Sequence, residues 1–387
     1  MSAALLPLEL LQIAGIPDEE GYDVQIIDAM IHEDYMERVM EACDGALLFA
    51  SSCILGFQVT HGAQVARAVR ERFPNLPLIW GGWFPSVVPE TYLSENVADA
   101  VALGQGELTF RDVVHAIDAG ESLESVPGLV VKGADGSPVY TEHRPVVGFD
   151  KIPDVPWRLL DFEKYVELQN KTSGWKVRHK YMDPWDMEPG TEQRGFSYYS
   201  SYGCPEPCTF CCSPALTGMR WKAVEGRALA EDIAELQQRF KFDVLRFQDA
   251  NFGVAEKRTK AFSQGLVDPK VPINWNGTIE IETTMRYKKG TLDLLEESKC
   301  HLLWLGAETG TKEMQERIKK NIGIDNIPAA VGELARRNIV PGTFWIIGYP
   351  GETQESMEET LRQAARVKHA FPIAGSEVYP FRPIPGT

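Results

Sequence analysis

Three cysteines on one short stretch are the residues of this sequence with the most specific chemistry. In SYGCPEPCTFCC the spacing is Cys204-x3-Cys208-x2-Cys211, with the aromatic Phe210 directly before the third cysteine. Thiolates are the usual protein ligands of iron–sulfur clusters, and close spacing lets three of them reach one cubane. Three ligands leave one iron of a [4Fe–4S] cluster open, which a catalytic cluster needs in order to bind a substrate. A structural zinc site is the rival, but it wants four ligands, commonly as two paired motifs. Cys43, Cys53 and Cys300 stand alone, and no histidine follows at finger spacing. Cys212 is a conceivable fourth ligand, although adjacent residues rarely both point into one site. Simple burial of the thiols is the bland alternative. Spacing favours iron–sulfur chemistry and leaves zinc open.

The rest of the chain must position that loop. At 387 residues, two domains are the natural expectation. A composition of 44% hydrophobic and 24% charged residues is that of a folding-competent protein. With 55 acidic against 39 basic residues, the net charge of -16 argues against nucleic acid or an anionic membrane surface as partner. No stretch approaches the ~20 apolar residues of a membrane span. The N-terminal MSAALLPLELLQIAG has no basic residue before its apolar run and no small-residue cleavage site, so no signal peptide is read. A cytoplasmic location is expected, where thiols stay reduced. Four of the seven cysteines fall within residues 204–212, a distribution that suits metal or redox chemistry better than disulfides.

The first part alternates strand-like and helix-like runs. Strands are predicted at 24–29 (VQIIDA), 45–52, 77–82 and 98–107, with helices at 35–43 and 58–73. Such alternation implies a parallel sheet covered on both faces, with ligands beyond the carboxyl ends of its strands. Those ends carry Ser51, Ser52, Gly81, Gly82, Gly104 and Gly106, small residues past which a bulky ligand can approach the backbone. Residues 126–149 read as a small β excursion with a turn at 134–136. Residues 150–195 hold Pro153, Pro156, Pro184 and Pro189, which break helices, among Trp157, Trp175 and Trp185. They are expected to connect the two domains and pack on both. From 195 the alternation resumes, with strands at 195–204, 244–252, 273–281, 301–309 and 343–352, a helix at 225–240, and a last strand near 378. Six strands with intervening helices predict a (β/α)6 partial barrel whose chemistry sits at the C-terminal strand ends. The expected division is therefore 1–145, a connecting segment 146–195, and a barrel 196–387. No internal repeat or low-complexity tract is present.

A CxxxCφC loop at the end of a first barrel strand resembles the radical S-adenosylmethionine superfamily. The resemblance extends to FQDANF (247–252), GAETGTKEM (306–314), GTFWIIGYPGET (342–353) and PIPGT (383–387), which look like that family's second, fourth, fifth and sixth strand segments in order. It implies a [4Fe–4S] cluster on Cys204, Cys208 and Cys211 whose open iron chelates S-adenosylmethionine, and reductive cleavage to a 5′-deoxyadenosyl radical. Carried over by position, Phe210 lies at the adenine and Glu308 near the ribose or methionyl end; Asp249, an acid at a strand end, is a cofactor contact or a helix cap. Where relatives often have an Arg after the third-strand Trp, this chain has Trp275 followed by Glu280 and Glu282, so the methionyl-carboxylate contact stays unassigned.

The front half resembles the cobalamin-binding domain found upstream of many such enzymes, through residues 6–29, FASS (49–52), IWGGWFPSVVPE (79–90) and GQGE (104–107). The implied fold is a Rossmann-like cobalamin-binding domain followed by the partial TIM barrel. Its cobalamin contacts would be Ser51, Ser52, Gly81, Gly82, Gly104 and Glu107. No DxHxxG motif supplies a lower cobalt ligand, and His61 is read as a residue near a helix N-terminus. The family's usual first strand, ahead of the LPLELL-like helix, is absent, and the barrel is expected to be shortened where the chain stops at PGT.

The resemblance implies a cobalamin-dependent radical enzyme, with methyl transfer to an unactivated carbon or phosphorus as the leading reaction. A ring-forming oxidative cyclase of tetrapyrrole synthesis is the alternative; a non-catalytic cobalamin or iron–sulfur sensor is the alternative from another class. The expected partners are a small-molecule substrate and a reductant protein such as flavodoxin or ferredoxin. Trp175, His179, Tyr181, Trp185, Tyr198, Tyr199 and Trp304 suggest a large apolar or planar substrate.

Overall fold

The computed structural model describes residues 5–171 and 192–387. Trp175, His179, Tyr181, Pro184, Trp185 and Pro189 lie outside the described residues. The N-terminal sheet has five strands in sequential order: β1 (Phe49–Ser52), β2 (Leu78–Gly81), β3 (Ala100–Ala102), β4 (Leu129–Lys132) and β5 (Pro138–Tyr140). The first three are parallel, and β4 and β5 close the sheet as an antiparallel hairpin. Leu78–Trp80, Ala100–Ala102 and Leu129–Val131 are buried as continuous apolar runs, the pattern of strands covered on both faces.

VQIIDA does not form the expected strand. The amides of Asp23–Ile27 donate to no other backbone group among the described residues, because no strand lies beside them. Ile26 and Ile27 instead divide their side chains between two cores, Ile26 toward the barrel and Ile27 toward the N-terminal sheet. An apolar run supplies the side chains of a strand, but a ladder also needs a partner. The predicted strands at 45–52 and 98–107 are shorter than read, since only Phe49–Ser52 and Ala100–Ala102 pair.

The barrel sheet is all-parallel and sequential: β6 (Gly195–Tyr198), β9 (Val244–Phe247), β10 (Asn274–Thr278), β11 (Cys300–Glu308), β12 (Val340–Ile347) and β13 (Gly375–Pro380). Helices Gly226–Phe240, Glu256–Val267, Lys289–Glu297, Asn326–Ala335 and Gln354–Ala370 lie between them. The stretch read as one strand into the cysteines is two. β6 ends at Tyr198, and β7 (Ser201–Gly203) leaves the barrel to pair antiparallel with β8 (Trp221–Ala223). The cysteine loop is thus the connection of a separate hairpin above the barrel.

Helix Leu8–Glu19 is shared between the halves. Leu8 and Leu11 are buried in the barrel core with Trp157, Phe162 and Tyr165, while the helix also lies along Glu107–Asp118. The residues after 150 lock this arrangement. Trp157 packs on Phe196 with ring centroids 5.0 Å apart, and Tyr165 donates to Asp28 at 2.6 Å. A ten-residue helix, Phe162–Lys171, follows in a stretch whose prolines argued against helix, because none of the four falls within those ten residues. Among the described residues, no helix is long and apolar enough to cross a membrane.

Candidate functional site

The cysteine loop is held from below by a buried polar hub. The Asp249 carboxylate, just beyond β9, accepts from the Ser200 amide (2.7 Å) and from the Ser200 and Ser201 hydroxyls (2.6 Å each). Arg258 donates to the Ser200 hydroxyl at 2.6 Å and to the carbonyls of Val224 (2.8 Å) and Phe252 (3.1 Å). Burial pushes the Asp249 carboxyl up, and the Arg258 charge with these donors pulls it back. Asp249 was expected to contact a cofactor or cap a helix; in the structure both its oxygens accept hydrogen bonds that fix the point where the chain leaves β6 for the cysteines. Asp249→Ala would leave Arg258 uncompensated and the Ser200 and Ser201 hydroxyls without their acceptor. A loss of about 3 kcal/mol is expected from breaking such a buried group, read as a lowered urea midpoint of the full chain.

Cys204 and Cys211 are half-buried and Cys208 is buried, and all are free thiols. The Thr209 amide donates to Ile318 O (3.0 Å), and the Ser213 amide points at Cys211 Sγ (3.4 Å). Burial pushes the Cys204 thiol up to about 11 and that of Cys208 up to about 12, and raises Cys211 as well. Desolvated thiols of this kind ionise when a metal centre takes the proton's place. Among the described residues, no three His, Cys, Asp or Glu side chains converge as a single metal ion would require. A cubane binds one thiolate per iron and does not need that convergence. The donor set, three thiols on one loop, fits an iron–sulfur cluster.

Beside the loop lies a buried ion trio. Lys320 Nζ contacts Glu280 at 2.8 Å and Glu308 at 3.7 Å. The ammonium is 4% exposed. Burial alone would lower its pKa, but the two carboxylates outweigh that and raise it. Burial pushes the Glu308 carboxyl up to about 7 against the pull of Lys320. The trio occupies space that only a glycine leaves free, since a Cβ at Gly306 would sit 2.2 Å from Glu308 Oε1 and 2.9 Å from Lys320 Nζ. The Lys320 charge also stabilises the thiolates of Cys208 and Cys211. Lys320 was not picked out from the sequence, and Glu280 was noted there only as an acid where relatives often have an Arg. Lys320 follows Lys319 in a charged run, and only burial separates them.

Phe210 packs on Met314, Ile318 and Tyr349, its ring 5.8 Å from Tyr349 and inclined by 65°. The Tyr349 hydroxyl is buried and hydrogen-bonds to no described residue. Together these side chains make an apolar wall beside the cysteines.

The carboxyl ends of the N-terminal strands turn toward the same loop. Ser52 and Gly81 are in register at the ends of β1 and β2. Gly82 has φ 90°, and a Cβ there would meet Cys53 O and Ser52 Oγ at 2.6 Å each. Gly104 lies against the carbonyl of Leu216, in the short helix Ser213–Thr217 that follows the cysteines. Glu107 is buried, with burial raising its carboxyl pKa and one carboxylate oxygen unpartnered. His61 is exposed and is the fifth residue of its helix. Ser51, Ser52, Gly81, Gly82 and Gly104 therefore line one end of the sheet, and its open cradle with an orphaned carboxyl oxygen fits a large planar cofactor. Gly82→Ala should strain the backbone and close that cradle, lowering stability by roughly 1–3 kcal/mol; differential scanning calorimetry would register it as a lower transition temperature.

Comparison with known proteins agrees with this geometry. Residues 4–114 match the B12 binding domain, and residues 198–364 match the radical SAM superfamily. An uncharacterized methyltransferase of Pyrococcus horikoshii is 25% identical over 367 residues, covering 93% of this chain and 73% of that protein. An anaerobic magnesium-protoporphyrin IX monomethyl ester cyclase of Synechocystis is 23% identical over 366 residues, covering 93% and 68%. The structure of the radical S-adenosylmethionine methyltransferase TsrM from Kitasatospora setae, with cobalamin and [4Fe-4S] cluster bound, aligns with a TM-score of 0.73 at 17% identity, covering 97% of this chain and 69% of that one. The chain thus joins a B12 binding domain, residues 4–114, to a domain of the radical SAM superfamily, residues 198–364.

Proposed function

We propose that the protein is a cobalamin-dependent radical S-adenosylmethionine methyltransferase. The observation that carries this reading is the meeting of three elements: the three-thiol loop, the buried Lys320 trio, and the small-residue ends of the N-terminal sheet. When bound, an open-iron cluster supplies the electron that splits S-adenosylmethionine, and cobalamin supplies a transferable methyl group. Cys204, Cys208 and Cys211 hold the cluster. Lys320 binds the methionyl carboxylate, the role for which the sequence offered no cation, and Glu280 and Glu308 keep its charge in place. Phe210 and Tyr349 wall the adenine. Ser51, Ser52, Gly81, Gly82, Gly104 and Glu107 face the corrin.

The residues around the site also exclude water. Met314 and Ile318 are buried behind Phe210, so charges within the pocket act in a low-dielectric setting. Electrons come from a small reductant protein such as a flavodoxin or ferredoxin. The Synechocystis relative supports a second reading, a ring-forming oxidation with the same cofactors. Anaerobic incubation with methyl-labelled S-adenosylmethionine, reductant and methylcobalamin tests the proposal. Formation of 5′-deoxyadenosine is expected, with label entering cobalamin or product. Deoxyadenosine without label transfer favours the oxidation, and no deoxyadenosine from cluster-loaded protein overturns both readings.

A further inference from the structure

The barrel interior holds a half-buried cation, Arg246, that no described residue neutralises. Leu245 and Phe247 of β9 are buried in the core beneath the helices, so alternation turns Arg246 and Gln248 to the opposite face, into the barrel. Arg246 is in register with Ser197 of β6 and Asn276 of β10. These two also alternate with core residues, Phe196 and Trp275. Among the described residues, Arg246 forms no ion pair, and none of the four side chains makes a hydrogen bond; Gln248 Nε2 is buried and unpartnered.

Buried polar groups are almost always satisfied, and buried charges are paired. The carboxylates at the barrel mouth are already taken: Asp249 by Ser200, Ser201 and Arg258, and Glu280 and Glu308 by Lys320. The four interior side chains are rich in donors, with five N–H on the guanidinium, two on each amide and one hydroxyl. Such a set, with a net positive charge, matches an oxyanion. On the neighbouring strands Trp304 and Phe344 stack 4.6 Å apart at 13°, in an aromatic wall on the same interior face.

We propose that Arg246, with Gln248, Ser197 and Asn276, forms an oxyanion receptor inside the barrel, and that the enzyme's substrate carries a carboxylate or phosphonate on a flat apolar body. This names the substrate class of the methyltransferase reading and rests on it. The receptor leaves the substrate's anionic end fixed in the barrel while its body lies along Trp304 and Phe344.

The test is isothermal titration of the full chain with four matched probes: 2-naphthoate, 2-naphthylphosphonate, 2-naphthalenemethanol and 2-naphthylmethylamine. One or both anions should bind roughly 10- to 100-fold more tightly than the alcohol, the worth of charge-assisted hydrogen bonds, and the amine should bind no better than the alcohol. The preferred anion identifies the oxyanion. Arg246→Gln should erase the preference, and Arg246→Lys should keep part of it. If Arg246→Gln fails to fold by circular dichroism, Gln248→Leu carries the test with a severalfold loss for the anions alone. Equal behaviour of anions and alcohol in the native chain, whether both bind or neither does, overturns the proposal, as does an undiminished preference in folded Arg246→Gln or, where that variant fails to fold, in Gln248→Leu. Failure here in protein that forms deoxyadenosine leaves the radical reading standing. Failure to form deoxyadenosine, with the anion preference intact, sinks that reading and not the receptor.

Discussion

Cys208→Ala is expected to abolish cluster assembly, taking iron and sulfide from about four of each per chain to near zero under anaerobic reconstitution. Cys208 is the most enclosed of the three thiols that the site assigns to the cluster. Burial pushes its thiol up to about 12 against the pull of the Lys320 charge, so it holds its proton until a metal centre takes the proton's place. Two cysteines would then remain, too few to hold a cubane with one open iron. Deoxyadenosine formation should vanish with the cluster. Cys212→Ala supplies the contrast. Cys212 is 1% exposed at the start of the following helix, and its replacement should leave iron content unchanged. Equal losses from both substitutions would mean that the loop binds metal through four thiols, as zinc does.

Lys320→Met should be nearly as damaging, for an electrostatic reason. It leaves Glu280 and Glu308 facing each other in a buried pocket with no cation. Breaking such a group by removing one partner costs about 3–5 kcal/mol. Protonation of Glu308, already pushed up to about 7, relieves part of that repulsion as the pH falls. The variant should therefore be least stable, relative to the native protein, above pH 7 and closer to it near pH 5. Glu280→Gln in the Lys320→Met background should recover much of the stability. It should not recover S-adenosylmethionine affinity, which needs the ammonium itself. Equilibrium dialysis against S-adenosylmethionine separates the two effects. Unchanged affinity in folded Lys320→Met would remove the lysine from the nucleoside site.

How much of this was written in the sequence depends on the length scale of each feature. The cysteine spacing and the order of the barrel segments are local, and Cys204, Cys208, Cys211, Phe210 and Glu308 fall together around one pocket. The barrel strands were legible because each apolar run is bounded by polar or glycine residues. VQIIDA shows the limit: its apolar run is that of a strand, but strand formation needs a neighbour that composition cannot supply. Asp249 shows another. A carboxylate at a strand end looks like a ligand contact until Ser200 and Ser201, almost fifty residues away, are found to occupy it. Lys320 was hidden for the same reason, since its partners Glu280 and Glu308 come from two other strand ends. Arg246 was passed over because a single charge inside an apolar run looks like noise until the register places Ser197 and Asn276 beside it.

Everything proposed for the site depends on three thiols of this loop holding a cluster with an open iron. Iron, sulfide and zinc analysis of anaerobically reconstituted full-length chain, joined to its electron paramagnetic resonance spectrum after reduction with and without S-adenosylmethionine, tests it most directly. About four irons and four sulfides per chain, negligible zinc, and a reduced-cluster signal that changes when S-adenosylmethionine is added are expected. Stoichiometric zinc without sulfide, or a cluster whose signal ignores S-adenosylmethionine, would contradict it.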